Sequence, residues 1–174
     1  MEHNKRLRNF LRSLPEGAML YSPLLGWVKV AEVNDSGICV VSLSDQKDKE
    51  SYLFRDDAHL ANFEQGEPML LPSFSCRSWD ILNFNDGDIV AVDILLNRGK
   101  MKTYIMKFKG LSVEPFFTVH YYLFESLKTK TLFIDQEMIC HSSYSRERLI
   151  VFRSATETEE EKFKAKVERL KLQI

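Results

Sequence analysis

The stretch IVAVDILLNRGKMKTYIMKFK, Ile89 to Lys109, decides the fold class. Val90, Val92, Ile94 and Leu96 alternate with Ala91, Asp93 and Leu95, the period of a strand with one buried face. Asn97-Arg98-Gly99-Lys100 then turns the chain. Beyond it Tyr104, Met106 and Phe108 fall on one face and Lys107 and Lys109 on the other. Two alternating runs joined by a short glycine-bearing turn predict a β-hairpin.

The same signature recurs upstream. Trp27–Val33 and Ile38–Leu43 flank Asn34-Asp35-Ser36-Gly37, residue types that tolerate the backbone of a tight turn, and Val28, Val30, Val40 and Val41 suit a pleated surface. Further short strands are expected at Met19–Ser22, Tyr52–Arg55, Phe117–Glu125, Thr131–Ile134 and Leu149–Arg153, with a shorter candidate at Met69–Leu71 ended by Pro72. Ser44 to Glu50 reads as a loop, and Arg77–Leu82 as one helical turn. No helical segment of crossover length separates the strands, so a barrel or sandwich is favoured over a parallel sheet.

Helices bracket the strands. Leu7, Phe10, Leu11 and Leu14 share one stripe of Asn4–Leu14, with Lys5, Arg6, Arg8 and Arg12 mostly off it, and Pro15 and Gly17 end the segment. This is either a packing helix with a solvated charged side or a basic arm for nucleic acid. Near the other end Thr156 and Glu159 have capping-box spacing, acidic residues crowd the first turn, and Phe163, Val167, Leu170 and Ile174 form a narrow apolar stripe. The expected architecture is mainly β, two small SH3-like barrel halves in tandem with a short N-terminal helix and a C-terminal amphipathic helix. The first half with its connector occupies residues 1–83 and the second half residues 84–174.

Composition narrows the function classes. Hydrophobic residues at 44% and charged residues at 28% supply a core and argue against a disordered chain. No window approaches the roughly 18 uninterrupted apolar residues of a membrane span, and Met1 to Arg8 runs into charge without an apolar signal region. No membrane association is therefore expected. Cys39, Cys76 and Cys140 are odd in number and widely spaced, which argues against a disulfide framework and suits the reducing cytoplasm.

The net charge of −1 conceals segregation. The first 14 residues are basic, Asp56 to Asn83 is acidic, and Arg98, Lys100, Lys102, Lys107 and Lys109 crowd the second hairpin.

Catalytic spacing is sparse. His3, His59, His120 and His141 lie far apart, and only Cys140-His141 brings two metal-ligand types together, on opposite sides if that segment is a strand. There is no GxSxG, Walker A, GxGxxG or HExxH motif. Asp86 and Asp88 are explained by turn chemistry.

Two motifs remain: Leu20-Tyr21-Ser22-Pro23-Leu24-Leu25-Gly26, and Gly66-Glu67-Pro68-Met69-Leu70-Leu71-Pro72-Ser73 followed by Arg77-Ser78-Trp79. They resemble short uncharacterised proteins of Bacteroidetes genomes, prophages and mobile elements that carry an LYSP-G opening and a GE-x-x-L-x-PS-x(3)-R-x-W segment. The likeness continues through Phe84–Val90 and Arg153–Thr156 and is poor between Lys100 and Arg148. Pro68 stands where that pattern often has cysteine. The resemblance implies no reaction. Physically, Arg77 and Trp79 are expected to lock the connector by stacking or a cation–π contact.

The functional expectation is a non-enzymatic binding or adaptor protein without cofactor or metal, taking a protein partner. The alternatives are a nucleic-acid-associated protein of a phage or mobile element, and a hydrolase using His120 or His141. Candidate binding residues are Arg77, Trp79, Lys102, Lys107, Lys109, Tyr121 and Tyr122. In the nucleic-acid reading the aromatic rings stack on bases while the lysines track phosphate. In the blander reading the rings are core and the lysines face water.

Overall fold

The computed structural model describes the backbone of residues 1–43, 50–63, 65–74, 76–96, 99–112, 118–125, 128–135 and 147–170, and the side chains of these apart from 96, 112, 118–125, 128–135 and 147–148. Two antiparallel sheets form, the first a meander and the second a four-stranded meander whose fifth strand returns to pair with its first. Sheet 1 contains β1 (Met19–Ser22), β2 (Gly26–Asn34), β3 (Gly37–Ser42) and β4 (Ser51–Phe54) in the order β1-β2-β3-β4. Sheet 2 contains β5 (Ile89–Leu96), β6 (Met101–Ser112), β7 (Thr118–Glu125), β8 (Lys128–Asp135) and β9 (Glu147–Ser154) in the order β8-β7-β6-β5-β9. Helix α1 (Glu2–Arg12) precedes sheet 1, a 3-10 turn at Asp80–Asn83 joins the halves, and α2 (Glu157–Arg169) follows β9.

Both expected hairpins are present. In the first, Ser36 N–H donates to Asn34 Oδ1 at 2.9 Å. Gly37 at φ +140° sits where a Cβ would collide with the Phe54 carbonyl, so the turn needs glycine. In the second, residues 97 and 98 of the expected turn lie outside the described set, but Leu95 pairs with Met101 across it. The Met69–Leu71 strand shrinks to one bridge, Tyr21 with Leu71, their N–H groups exchanging bonds of 2.9 and 2.7 Å. Among the described residues neither sheet closes into a barrel, since the end strands of each do not pair with one another.

The core lies on the inner faces. Val28, Val30, Ile38, Val40 and Phe54 of sheet 1 and Val90, Val92, Met106, Phe108 and Phe152 of sheet 2 belong to one continuous buried cluster. Leu7, Leu11 and Leu14 join it from the N-terminal segment, with Phe10 packed against it. Amphipathic spacing thus decides which side of α1 is buried, each leucine removed from water contributing about 1.5–3 kcal/mol.

Sheet 2 departs from the one-face-buried expectation. Ala91 and Asp93, on the outer face of β5, are buried along with Val90 and Val92. The reason is α2, which packs against β6 and buries Phe163 outside the main cluster. Helix α2 is fixed at its start by the capping box of Thr156 and Glu159 and by Arg153. The Arg153 guanidinium reaches Asp93 at 2.7 Å and both oxygens of Glu159 at 2.8 and 2.9 Å. Thr103 Oγ1 donates to the same Asp93 carboxylate at 2.6 Å. These bonds hold the Glu159 carboxyl at about 2, the Arg153 contact being the main cause and the Thr156 N–H the next. No helix among the described residues is long and apolar enough to cross a membrane.

Candidate functional site

A cleft of about 730 Å³ opens between α1, the Asp57–His59 turn and the connector Glu67–Asp80. That lies in the size range of ligand pockets. Trp79 and Arg77, both expected to matter, line it. Trp79 is 4% exposed. Its indole Nε1–H donates to Leu70 O at 2.9 Å, and its ring packs against Phe10 of α1 at 5.6 Å between centroids. The tryptophan therefore ties the connector to the helix. Arg77 does not stack on Trp79. Its guanidinium lies over the Phe74 ring at 5.1 Å while Nε–H donates to Phe74 O at 3.1 Å, which leaves it exposed at the rim.

The far wall is a strained turn. Ala58 has φ +69° although it is not glycine, and it is fully buried. Such backbone costs about 1–2 kcal/mol and persists where the surroundings impose it. Here the Ala58 carbonyl accepts from both Met69 N–H at 2.8 Å and Leu70 N–H at 3.1 Å, so the connector pins the turn. The turn carries Asp57 and His59 into the cleft. His59 Nδ1 is 3.0 Å from Asp57 Oδ1, and Nε2 is 3.0 Å from Gly66 O. Burial works against the charge on Asp57, but the His59 N–H, Arg55 and the His59 ring outweigh it and hold the carboxyl below its usual range.

Other polar groups near the cleft are tied to the scaffold. Ser78 Oγ–H donates to Asp80 at 2.8 Å, and His3 Nδ1 lies 2.6 Å from Asn83 Oδ1. Cys76 of the connector is buried, its thiol pushed up to about 12 by burial and by the Asp80 charge. A thiol so shifted is unreactive at neutral pH. Cys39 is half-buried, and both cysteines are free. Among the described residues no cluster of three or more His, Cys, Asp or Glu is placed to hold a metal.

The remaining candidates lie elsewhere. Lys102 is on the inner-face register of β6 with its Nζ over the Tyr104 ring at 4.6 Å. Lys107 pairs with Ile89 on the opposite face, and Lys109, at a bulge, reaches Asp86 at 3.7 Å. The three lysines do not form one row. Phe108 is buried. Tyr121 and Tyr122 stand in β7 opposite Phe108 and Lys107, and their side chains, like that of His120, are outside the described set. Arg98, Cys140, His141 and Ile174 also lie outside the described residues.

The basic side of α1 is partly neutralised. Arg12 bonds Asp56 at 2.6 Å, Arg8 approaches the same carboxylate at 3.7 Å, and Arg6 donates to Leu82 O at 3.1 Å. The opposite charges of the N-terminal segment and the connector were the available signal for this contact. No comparable signal announced that His3, His59 and Trp79 would line one cleft. Compared with protein-family models, curated proteins and solved structures, the chain matches none.

Proposed function

We propose that this chain is a non-enzymatic binding or adaptor protein of the cytoplasm that takes a segment of a partner protein in the cleft beside Trp79. The observation that carries the reading is the division of labour in the cleft. His59, Asp57 and Asp80 bond to the scaffold, whereas Arg77 and Glu67 stand exposed at the rim of a wall containing Met69, Leu71 and Trp79. An apolar wall with charges of both signs at its edge suits a polypeptide.

Two small SH3-like units in tandem are part of this proposal. In sheet 2 the fifth strand returns to the first, giving β9-β5-β6-β7-β8, and in sheet 1 the Leu71 bridge takes the matching place beside β1.

The nucleic-acid alternative draws less support, because Arg8 and Arg12 share Asp56 and Lys102 and Lys107 lie on opposite faces. The hydrolase alternative rests on His120 and His141, which lie outside the described side chains; at His59, the histidine beside the connector wall of the cleft, both ring nitrogens face protein oxygens. The resemblance to short Bacteroidetes and prophage proteins brings no reaction to either alternative.

A photo-crosslinking residue at Pro68, with a control at Asp35 on the β2–β3 turn, tests the proposal in the native cells. The expected result is a discrete protein adduct from position 68 alone, lost on Arg77→Glu. Nuclease-sensitive adducts, adducts common to both positions, or none at position 68 would overturn it.

A further inference from the structure

Burial alternates along β1 and β3, so the outer face of sheet 1 points to solvent. That face is nonetheless apolar. Tyr21 pairs with Trp27 across β1 and β2, Val41 lies opposite Lys29, and Leu53 lies opposite Cys39. Phe74 extends the aromatic row edge-on to Tyr21 at 5.4 Å. Leu43 is 47%, Phe74 44% and Leu53 37% exposed. Solvated faces of antiparallel sheets are ordinarily polar, and contiguous apolar patches mark interaction sites.

A bulge supplies the second observation. Between Val30 and Glu32 the pairing of β2 with β3 slips by one residue, so that Val33 pairs with buried Ile38 and Glu32 pairs with Cys39. Without the slip Lys29 and Glu32 would face opposite sides; with it both lie on the outer face, exposed. Among the described residues of β2 the face therefore carries one cation and one anion, opposite Val41 and Cys39 of β3 and so about 7 Å apart along the strand.

We propose that this face pairs with the same face of a second copy of the chain. A two-fold axis in the interface plane, crossing β2 between these residues, sets each Lys29 against the other copy's Glu32. The same operation lays each Cys39 over the other copy's Val41, so charge meets opposite charge and apolar surface meets apolar surface.

Four strands and six residues span about 19 by 20 Å, or roughly 400 Å² of plane from each copy. The pair stands at the small end of specific interfaces, which sets a weak, concentration-dependent dimer.

Sedimentation velocity over a concentration series reads the pairing. Wild type is expected to shift from monomer to dimer at micromolar to tens-of-micromolar concentrations, a range set by the small interface. Lys29→Glu and Glu32→Lys are each expected to weaken the dimer about tenfold or more, by placing like charges opposite one another. The double variant Lys29→Glu/Glu32→Lys restores it, which a folding defect would not do. Cys39 of the two copies lies about 12 Å apart for sheets packed 10 Å apart, so a bis-maleimide of similar reach should link them. That link should vanish in Cys39→Ser. A protein monomeric throughout the series, or a dimer indifferent to both single reversals, overturns the proposal. So does a double variant no better than the singles.

Discussion

The two sheets treat their outer faces in opposite ways. Sheet 2 is sealed from within the chain: α2 buries Phe163 against it, and Arg153 bridges Asp93 of the sheet to Glu159 of the helix. Sheet 1 has α1 and the connector on its inner side, while its outer face of Tyr21, Trp27, Val41 and Leu53 carries no helix among the described residues. The difference teaches where each half is finished. One sheet completes its second layer with its own chain; the other has no such layer among the described residues, and it is the face proposed to pair with a second copy.

The largest expected effect breaks the seal on sheet 2. Phe163→Ala removes the only buried side chain of α2 among the described residues. It should cost about 3 kcal/mol in urea unfolding, with a gain in dye binding as the second outer face opens. Arg153→Ala is next. Asp93 is 8% exposed and would lose its charged partner, while Glu159 would keep only its cap bonds. A loss of about 2 kcal/mol is expected, below that of a fully buried pair because the Arg153 side chain is 35% exposed.

Acid sharpens the same point. Glu159 is held at about 2 against an ordinary 4.5, so its contribution is complete above the ordinary value and is lost as pH falls through that window toward 2. Thermal melts between pH 5 and pH 2 should fall more steeply for wild type than for Glu159→Gln. Smallest of all is Leu53→Ser on the outer face of sheet 1, expected to change monomer stability by less than about 0.5 kcal/mol. A larger loss would mean that this face is already covered within the chain.

The legible parts of the sequence were the local ones. Asn34-Asp35-Ser36-Gly37 announced its turn because each residue type satisfies a backbone need there, and Thr156 with Glu159 announced a helix start for the same reason. Strand β5 was placed correctly at Ile89–Leu96, yet its two-sided burial was not legible. Alternation reports side-chain direction; what lies over each side depends on α2, some 60 residues later in the chain.

The bulge in β2 was hidden similarly. Lys29, Ala31 and Glu32 carry no glycine or proline mark, and only pairing with β3 reveals the slip. Of the candidate residues, Arg77 and Trp79 line the cleft, but the remaining wall comes from segments as distant as His3 and Asp80. Composition gives no means of bringing these together.

The two tryptophans offer the most direct measurement, because one lies on each surface. Trp79→Phe leaves Trp27 as the reporter of the open face, and Trp27→Phe leaves Trp79 as the reporter of the built cleft. Fluorescence and acrylamide quenching across protein concentration should show Trp27 accessible when dilute and increasingly shielded when concentrated, with Trp79 shielded throughout. A Trp27 signal independent of concentration, or a Trp79 signal that changes in step with it, would contradict the account.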